Sequence, residues 1–168
     1  TVIEARVILD DFSIIECEVV LGSNTLVIYR AQICNEARIG RDCVIGGFVA
    51  ERVVVGDRAR VFGRIVHSQH NPSIAWDAPE AEEGSAVIGE EVFIGFDAIV
   101  VGEILIGASA YICAGSIVTR DVPPQHVVYG VNKITPYSEW PGDLRHSPFF
   151  QQHQLSPKET GNLADKGS

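Results

Sequence analysis

The sequence predicts an all-β chain wound as a parallel β-helix of about six coils. Three observations carry that prediction. First, an aliphatic residue recurs at every sixth position through Ile3, Leu9, Ile15, Leu21, Val27, Ile33, Ile39 and Ile45. The same spacing returns in Val49, Val55 and Val61, and again from Ile88 through Ile94, Val100, Ile106 and Ile112 to Val118. Neither an α-helix, with 3.6 residues per turn, nor a plain strand, with a period of 2, produces this rhythm. Second, a small or β-branched residue falls four positions after the aliphatic one in most units, as in Val7, Ser13, Val19, Thr25, Ala31 and Ala37, with Cys43, Ile65 and Ile104 in the same slot. Large and small side chains then alternate around a narrow interior, so stacked coils interdigitate. Third, Gly or a small or acidic residue follows the aliphatic one directly, as in Glu4, Asp10, Gly22, Gly40, Gly56 and Gly89, which suits a corner.

Along the chain, the first run of hexads stacks coils from Ile3 to Ile45, each buried aliphatic contributing on the order of 1.5–3 kcal/mol. A small break follows, because the spacing from Ile45 to Val49 drops to four across Gly46-Gly47-Phe48. The larger break is residues 67–87, His67 to Val87, read as a loop excursion from one corner that returns at Ile88. Its two prolines, Trp76 and run of acids cannot continue an aliphatic column, and a structureless loop of about 20 residues calls for a functional reason. His67 falls six residues after Val61, on the aliphatic frame, either as a plug ending the core or beside a bound acceptor. The domain division is 1–133 for the β-helix and 134–168 for an irregular cap with a polar tail expected to be disordered.

The 168-residue chain carries 13 basic and 22 acidic residues, a net charge of −9, which argues against nucleic acid and anionic membranes as partners. No transmembrane run or signal peptide is read in it. Its four cysteines, Cys17, Cys34, Cys43 and Cys113, show no CxxC or paired spacing. No disulfide framework and no metal are expected, and a cytoplasmic location fits.

Near the end of the repeats stands Ala114-Gly115-Ser116-Ile117-Val118-Thr119-Arg120-Asp121-Val122-Pro123-Pro124, followed by Val127-Val128-Tyr129-Gly130. With the three-slot hexad, this closely resembles the hexapeptide-repeat acyltransferases, nearest to their sugar and antibiotic O-acetyltransferase branch. The resemblance covers most of residues 3–133 and implies a left-handed coil, a hand the periodicity itself does not give. It implies a cytoplasmic transferase that takes the acyl group of acetyl-CoA, with coenzyme A as co-substrate, to a hydroxyl or amine of a small acceptor such as a sugar.

The site follows by position. Ile65-Val66-His67-Ser68-Gln69-His70-Asn71-Pro72 resembles the place where the family's catalytic His ends a coil, with His70 in that place and His67 as the second candidate. An imidazole, with an ordinary pKa near 6.5, accepts a proton near neutrality. Gly95 and Phe96 match the backbone that holds the thioester arm. Ala114, Gly115, Thr119 and Arg120 match the cofactor edge, with Lys133 as a further cation, and Trp76 is a candidate wall of the acceptor pocket. Two departures are Phe96 in place of a small residue, and Gly130-Val131-Asn132-Lys133, one residue shorter than the family's Gly-Asn-Pro-Ala-Lys. In the family three prisms pack in parallel with sites between neighbours, so the resemblance implies a homotrimer. Two alternatives remain: a non-catalytic β-helix scaffold, or a γ-carbonic anhydrase-like metalloenzyme, which needs three converging His, although residues 88–123 hold none.

Overall fold

A computed structural model describes residues 1–68 and 84–141. Within them, two- to four-residue strands stack into three sheets that form the sides of a prism. Sheet A holds β1 (Val2–Ile3), β4 (Val20–Leu21), β7 (Arg38–Ile39), β10 (Val54–Val55), β13 (Val87–Ile88) and β16 (Leu105–Ile106). Sheet B holds β2 (Ile8–Leu9), β5 (Leu26–Val27), β8 (Val44–Ile45), β11 (Arg60–Val61), β14 (Phe93–Ile94) and β17 (Tyr111–Ile112), closed by β19 (His126–Tyr129) and β20 (Lys133–Pro136). Sheet C holds β3 (Ile14–Ile15), β6 (Gln32–Ile33), β9 (Phe48–Val49), β12 (Arg64–Val66), β15 (Ile99–Val101) and β18 (Ile117–Val118).

Every pairing between coils is parallel, and only β19 with β20 is antiparallel. The second residue of each two-residue strand turns inward. Leu21, Val27, Ile33, Ile45, Ile88, Ile94, Ile106 and Ile112 are fully buried, and Ala31, Ala37, Ala59, Ala98 and Ala110 fill the small slots between them. In the first coil Ile3 and Leu9 are 49% and 44% exposed despite holding the same frame position. At the other end β19, β20 and a 3-10 turn at Tyr137–Glu139 cross the last coil. The Tyr137 hydroxyl donates to the Ser109 carbonyl there.

Three features differ from the reading of the sequence. The bend lies three residues after the aliphatic, not one: Arg6, Asn24, Asp42, Arg58 and Glu91 hold φ between 56° and 62° at one corner. Such φ is costly for non-glycine residues, and side chains offset it by linking up the column. Arg6 donates to Asn24, Asn24 donates to Asp42 at 2.9 Å, and Arg58 donates to Glu91 at 3.0 Å. The glycine just after the aliphatic serves close stacking instead. A Cβ on Gly22 would sit 2.6 Å from the Gly40 carbonyl carbon of the next coil.

The third difference is a second shortened corner. Ile65 pairs with Val49 and Val100 and is fully buried, so it is the core aliphatic of its strand and the frame moves by four from Val61, as it does from Ile45. His67 therefore stands two residues beyond the core position, on the corner, and is not a plug. The two short corners lie directly on one another. A Cβ on Gly47 would meet the Gly63 carbonyl oxygen at 1.8 Å, so only glycine fits there.

Candidate active site

Register assigns the candidate residues to two corners of the prism. The first joins sheet C to sheet A. There the residues two beyond the core aliphatic stack as Cys17, Asn35, Glu51, His67, Gly102 and Arg120, following Ile15, Ile33, Val49, Ile65, Val100 and Val118. The second joins sheet B to sheet C. It carries Gly95 and Phe96 in one coil and Ala114 and Gly115 in the next.

His67 is placed by β12, whose last residue, Val66, accepts from the Gly102 amide at 2.9 Å. Its side chain is 15% exposed, and Nε2 lies 3.2 Å from a Glu51 carboxylate oxygen. The contact is close but not aligned as a hydrogen bond, and Nε2 is buried without another partner among the described residues. Glu51 comes from the coil below. Its backbone carbonyl accepts from the Ser85 hydroxyl at 2.9 Å, so the returning chain touches the same residue. The sequence reading did not single out Glu51. Had the move of frame at Ile65 been recognised, counting two residues on from Val49 and Ile65 would have put it beneath His67. His70 and Trp76 lie outside the described residues.

Beside this pair the same corner holds Cys34, 2% exposed, and Glu16. Burial pushes the Cys34 thiol up to about 12, and the nearby Glu16 and Glu51 carboxylates add to the rise.

At the second corner Gly95 is backed by the Ala114 amide, which a Cβ on it would meet at 2.6 Å. Phe96 is 61% exposed and stacks on Phe62 with ring centroids 4.7 Å apart, while its carbonyl accepts from the Gly115 amide at 2.9 Å. Gly115 has φ +69°, and a Cβ there would have nothing within 4 Å, so backbone faces open space. A thin chain can lie against such a surface where a side chain would keep it away.

Thr119 and Arg120 return to the first corner, two coils beyond His67, or roughly 10 Å at the usual strand spacing. Asn132 fixes both. Its Oδ1 accepts from the Thr119 amide at 2.9 Å, its Nδ2 donates to the Thr119 hydroxyl at 2.8 Å, and its carbonyl accepts from the Arg120 guanidinium. Arg120 keeps donors to spare, since a guanidinium has five N–H groups. Lys133 Nζ lies 5.6 Å over the Tyr129 ring, held at the cap. Within one chain the fold thus brings Gly95, Phe96, Ala114 and Gly115 together, and sets His67 with Thr119 and Arg120 across sheet C from them.

No family model matches the chain. It is 33% identical over 110 residues to serine acetyltransferase 2 of Arabidopsis thaliana, covering 66% of this chain and 33% of that protein. It is 29% identical over 139 residues to the bifunctional protein GlmU of Acinetobacter baylyi, covering 77% and 30% of the two. The chain therefore spans about a third of the length of these relatives. Among solved structures it is similar to a mutant perosamine N-acetyltransferase from Caulobacter crescentus in complex with CoA and GDP-perosamine, with TM-score 0.60 and 22% identity over 76% of this chain and 57% of that one. It is also similar to AntD, an N-acyltransferase from Bacillus cereus in complex with dTDP and 3-hydroxybutyryl-CoA, with TM-score 0.51 and 16% identity over 77% and 78%. The six-residue frame, the three-sided prism and these likenesses give the chain the left-handed β-helix fold of the hexapeptide-repeat acetyltransferases it is similar to.

Proposed function

We propose that this chain is an acetyl-CoA-dependent transferase that moves an acyl group to a hydroxyl or amine of a small acceptor such as a sugar. The observation that carries the reading is the bare backbone corner at Gly115, stacked on Gly95 and Phe96, where a pantetheine arm can approach main chain. Ala114, Thr119, Arg120 and Lys133 extend that ledge towards the cofactor's phosphates, which suit local cations on a chain of net charge −9. Relatives named as acetyltransferases, and neighbours holding CoA or an acyl-CoA, support the same chemistry.

In this reading His70 accepts the proton of the acceptor hydroxyl or amine as that group attacks the thioester carbonyl carbon. The C–S bond breaks, and the leaving thiolate takes the proton back from the imidazolium. No acyl-enzyme forms. The reading assigns acceptor binding to His67, which is held against Glu51, and to Trp76. Because His67 and the Gly95–Gly115 ledge occupy different corners, a neighbouring copy brings its ledge to this copy's imidazole, as a homotrimer does. The charge balance leaves nucleic acid and membrane aside as partners. Among the described residues no helix is long and apolar enough to cross a membrane.

The test is thermal denaturation with and without acetyl-CoA, followed by release of free coenzyme A thiol with hydroxyl and amine acceptors. A rise in Tm with cofactor and acceptor-dependent thiol release are expected. No stabilisation at millimolar acetyl-CoA sinks the transferase reading and leaves the scaffold alternative.

A further inference from the structure

Phe96 leaves a ring 61% exposed at the corner that carries the Gly115 ledge. The ring is held in place. It stacks on Phe62 of the preceding coil, with centroids 4.7 Å apart and planes 25° apart. Phe62 lies beside Phe93 at 5.8 Å, and Phe93 lies nearly flat on Tyr111 at 4.6 Å and 10°. Phe93 and Tyr111 are paired residues of β14 and β17, half-buried on the outer side of sheet B, so the sheet anchors the run of rings. An aromatic ring fixed in this way presents a large apolar area at little cost in ordering.

The direction in which the ring leans decides what it can do. A Cβ on Gly115, in the following coil, would find nothing within 4 Å, so the Phe96 ring does not overhang the ledge. It leans the other way, onto Phe62. Further down, a Cβ on Gly46 would meet Phe62 Cδ1 at 3.0 Å and Ile28 Cδ1 at 2.5 Å, so these two side chains close over the bare Gly46. Phe96, Phe62 and Ile28 thus form one apolar shelf along the corner between sheets B and C. It crosses three coil steps, roughly 14 Å at the usual strand spacing.

We propose that this shelf seats the acyl chain of the thioester donor, and that the donor favoured is a coenzyme A thioester with an acyl group longer than acetyl. The inference rests on the transferase reading and narrows its donor. In that reading the cofactor's phosphates lie towards Arg120 and Lys133 near the cap, and the thin arm crosses Gly115 and Gly95. Its acyl end then points at Phe96 and Phe62, and Phe62 belongs to the coil that ends at His67. Acetyl reaches the rings with a single methyl. Every further methylene lies on apolar carbon instead of in water, and a methylene fully withdrawn from water is worth about fourfold in affinity. A shelf covers one side of the chain only, so about twofold per methylene is the expected gain.

The test titrates the full chain calorimetrically with acetyl-CoA, butyryl-CoA and hexanoyl-CoA and compares their Kd values. Hexanoyl-CoA is expected to bind about 10–20-fold more tightly than acetyl-CoA, with butyryl-CoA between them. Phe96→Ala should cut the hexanoyl preference to about threefold or less. Phe12→Ala removes another exposed ring of the same corner, one packed on Tyr29 and away from the shelf, and should leave the preference intact. If Phe96→Ala does not fold, Phe96→Gln takes its place and should lose the preference as well. Equal affinities in the wild type, tighter binding of acetyl-CoA, a preference that survives loss of the Phe96 ring, or one that disappears in Phe12→Ala each overturns the proposal. A Phe96→Ala chain that changes oligomeric state and keeps the preference assigns the rings to a contact between copies, and the proposal falls. Binding of none of the thioesters sinks the transferase reading, and this inference with it. Binding without dependence on chain length sinks this inference alone.

Discussion

The Ser85 hydroxyl donates to the Glu51 carbonyl at 2.9 Å, while the Glu51 carboxylate meets His67 Nε2 at 3.2 Å. One residue thus touches both the point where the chain leaves the coils and the point where it returns. Ser85→Ala removes a half-buried hydrogen bond and is expected to cost about 0.5–1.5 kcal/mol. Urea unfolding measures it, and an unchanged midpoint would show that Glu51 does not fasten the return.

The transferase reading assigns proton transfer to His70. His70→Ala is expected to lower kcat by about 10²–10⁴ with circular dichroism unchanged. The acidic limb of the kcat profile should vanish with it. Activity within a factor of two or three of wild type removes His70 from the role.

Arg41 and Asp57 predict a weak acid dependence of stability. The Arg41 guanidinium donates to the Asp57 carboxylate at 2.7 and 3.1 Å and its backbone amide at 2.8 Å, which holds the Asp57 carboxyl below its ordinary value. A depressed carboxyl stabilises the fold above its unfolded pKa, near 3.9, and that contribution fades as pH falls through the folded value. Arg41 is largely solvent-facing, so solvent screening keeps the contribution small. Asp57→Asn should lower stability slightly at pH 7 and converge on wild type below about pH 3. A constant difference across that range refutes the assignment.

Two residues with the same frame position should respond very differently to truncation. Ile45 is fully buried, so Ile45→Ala is expected to cost about 2–5 kcal/mol. Ile3, 49% exposed, should cost less than half as much. Equal losses in chemical denaturation would mean that the first coil is covered in solution.

Thiol reactivity should sort the cysteines by burial. Burial pushes Cys43 up to about 11 and Cys34 up to about 12, leaving about 10⁻³ to 10⁻⁴ of each as thiolate at pH 8. Cys17 is exposed. Iodoacetamide followed by mass spectrometry should label Cys17 in the folded chain and add Cys34 and Cys43 only in urea. Rapid native labelling of Cys34 contradicts its placement.

The repeat made the architecture legible because Ile and Val at fixed intervals report burial directly, and burial is what the coil enforces. Corner geometry was less legible. Arg6, Asn24 and Asp42 tolerate left-handed φ through bonds to the coils above and below, and no local rule of composition signals that. Ile65 looked like a slot residue because a corner shortened to four residues sets the next core aliphatic at the slot's own offset from Val61. Glu51 escaped notice because its partner lies in the next coil, where only register reveals adjacency. The likeness of Ala114 to Pro124 to a known signature pointed to the ledge, whereas Asn132, which clasps Thr119 and Arg120, emerged only from the folded cap.

The abutting turns at Gly47 and Gly63 bear on how such a chain can change over time. Their outer neighbours, residues 28–31 below and 95–98 above, keep four residues where these turns keep two, so a layer two residues shorter stacks on one that is not. Length at this edge is therefore set layer by layer, and the solenoid accepts such an edit without a matching one in the next coil.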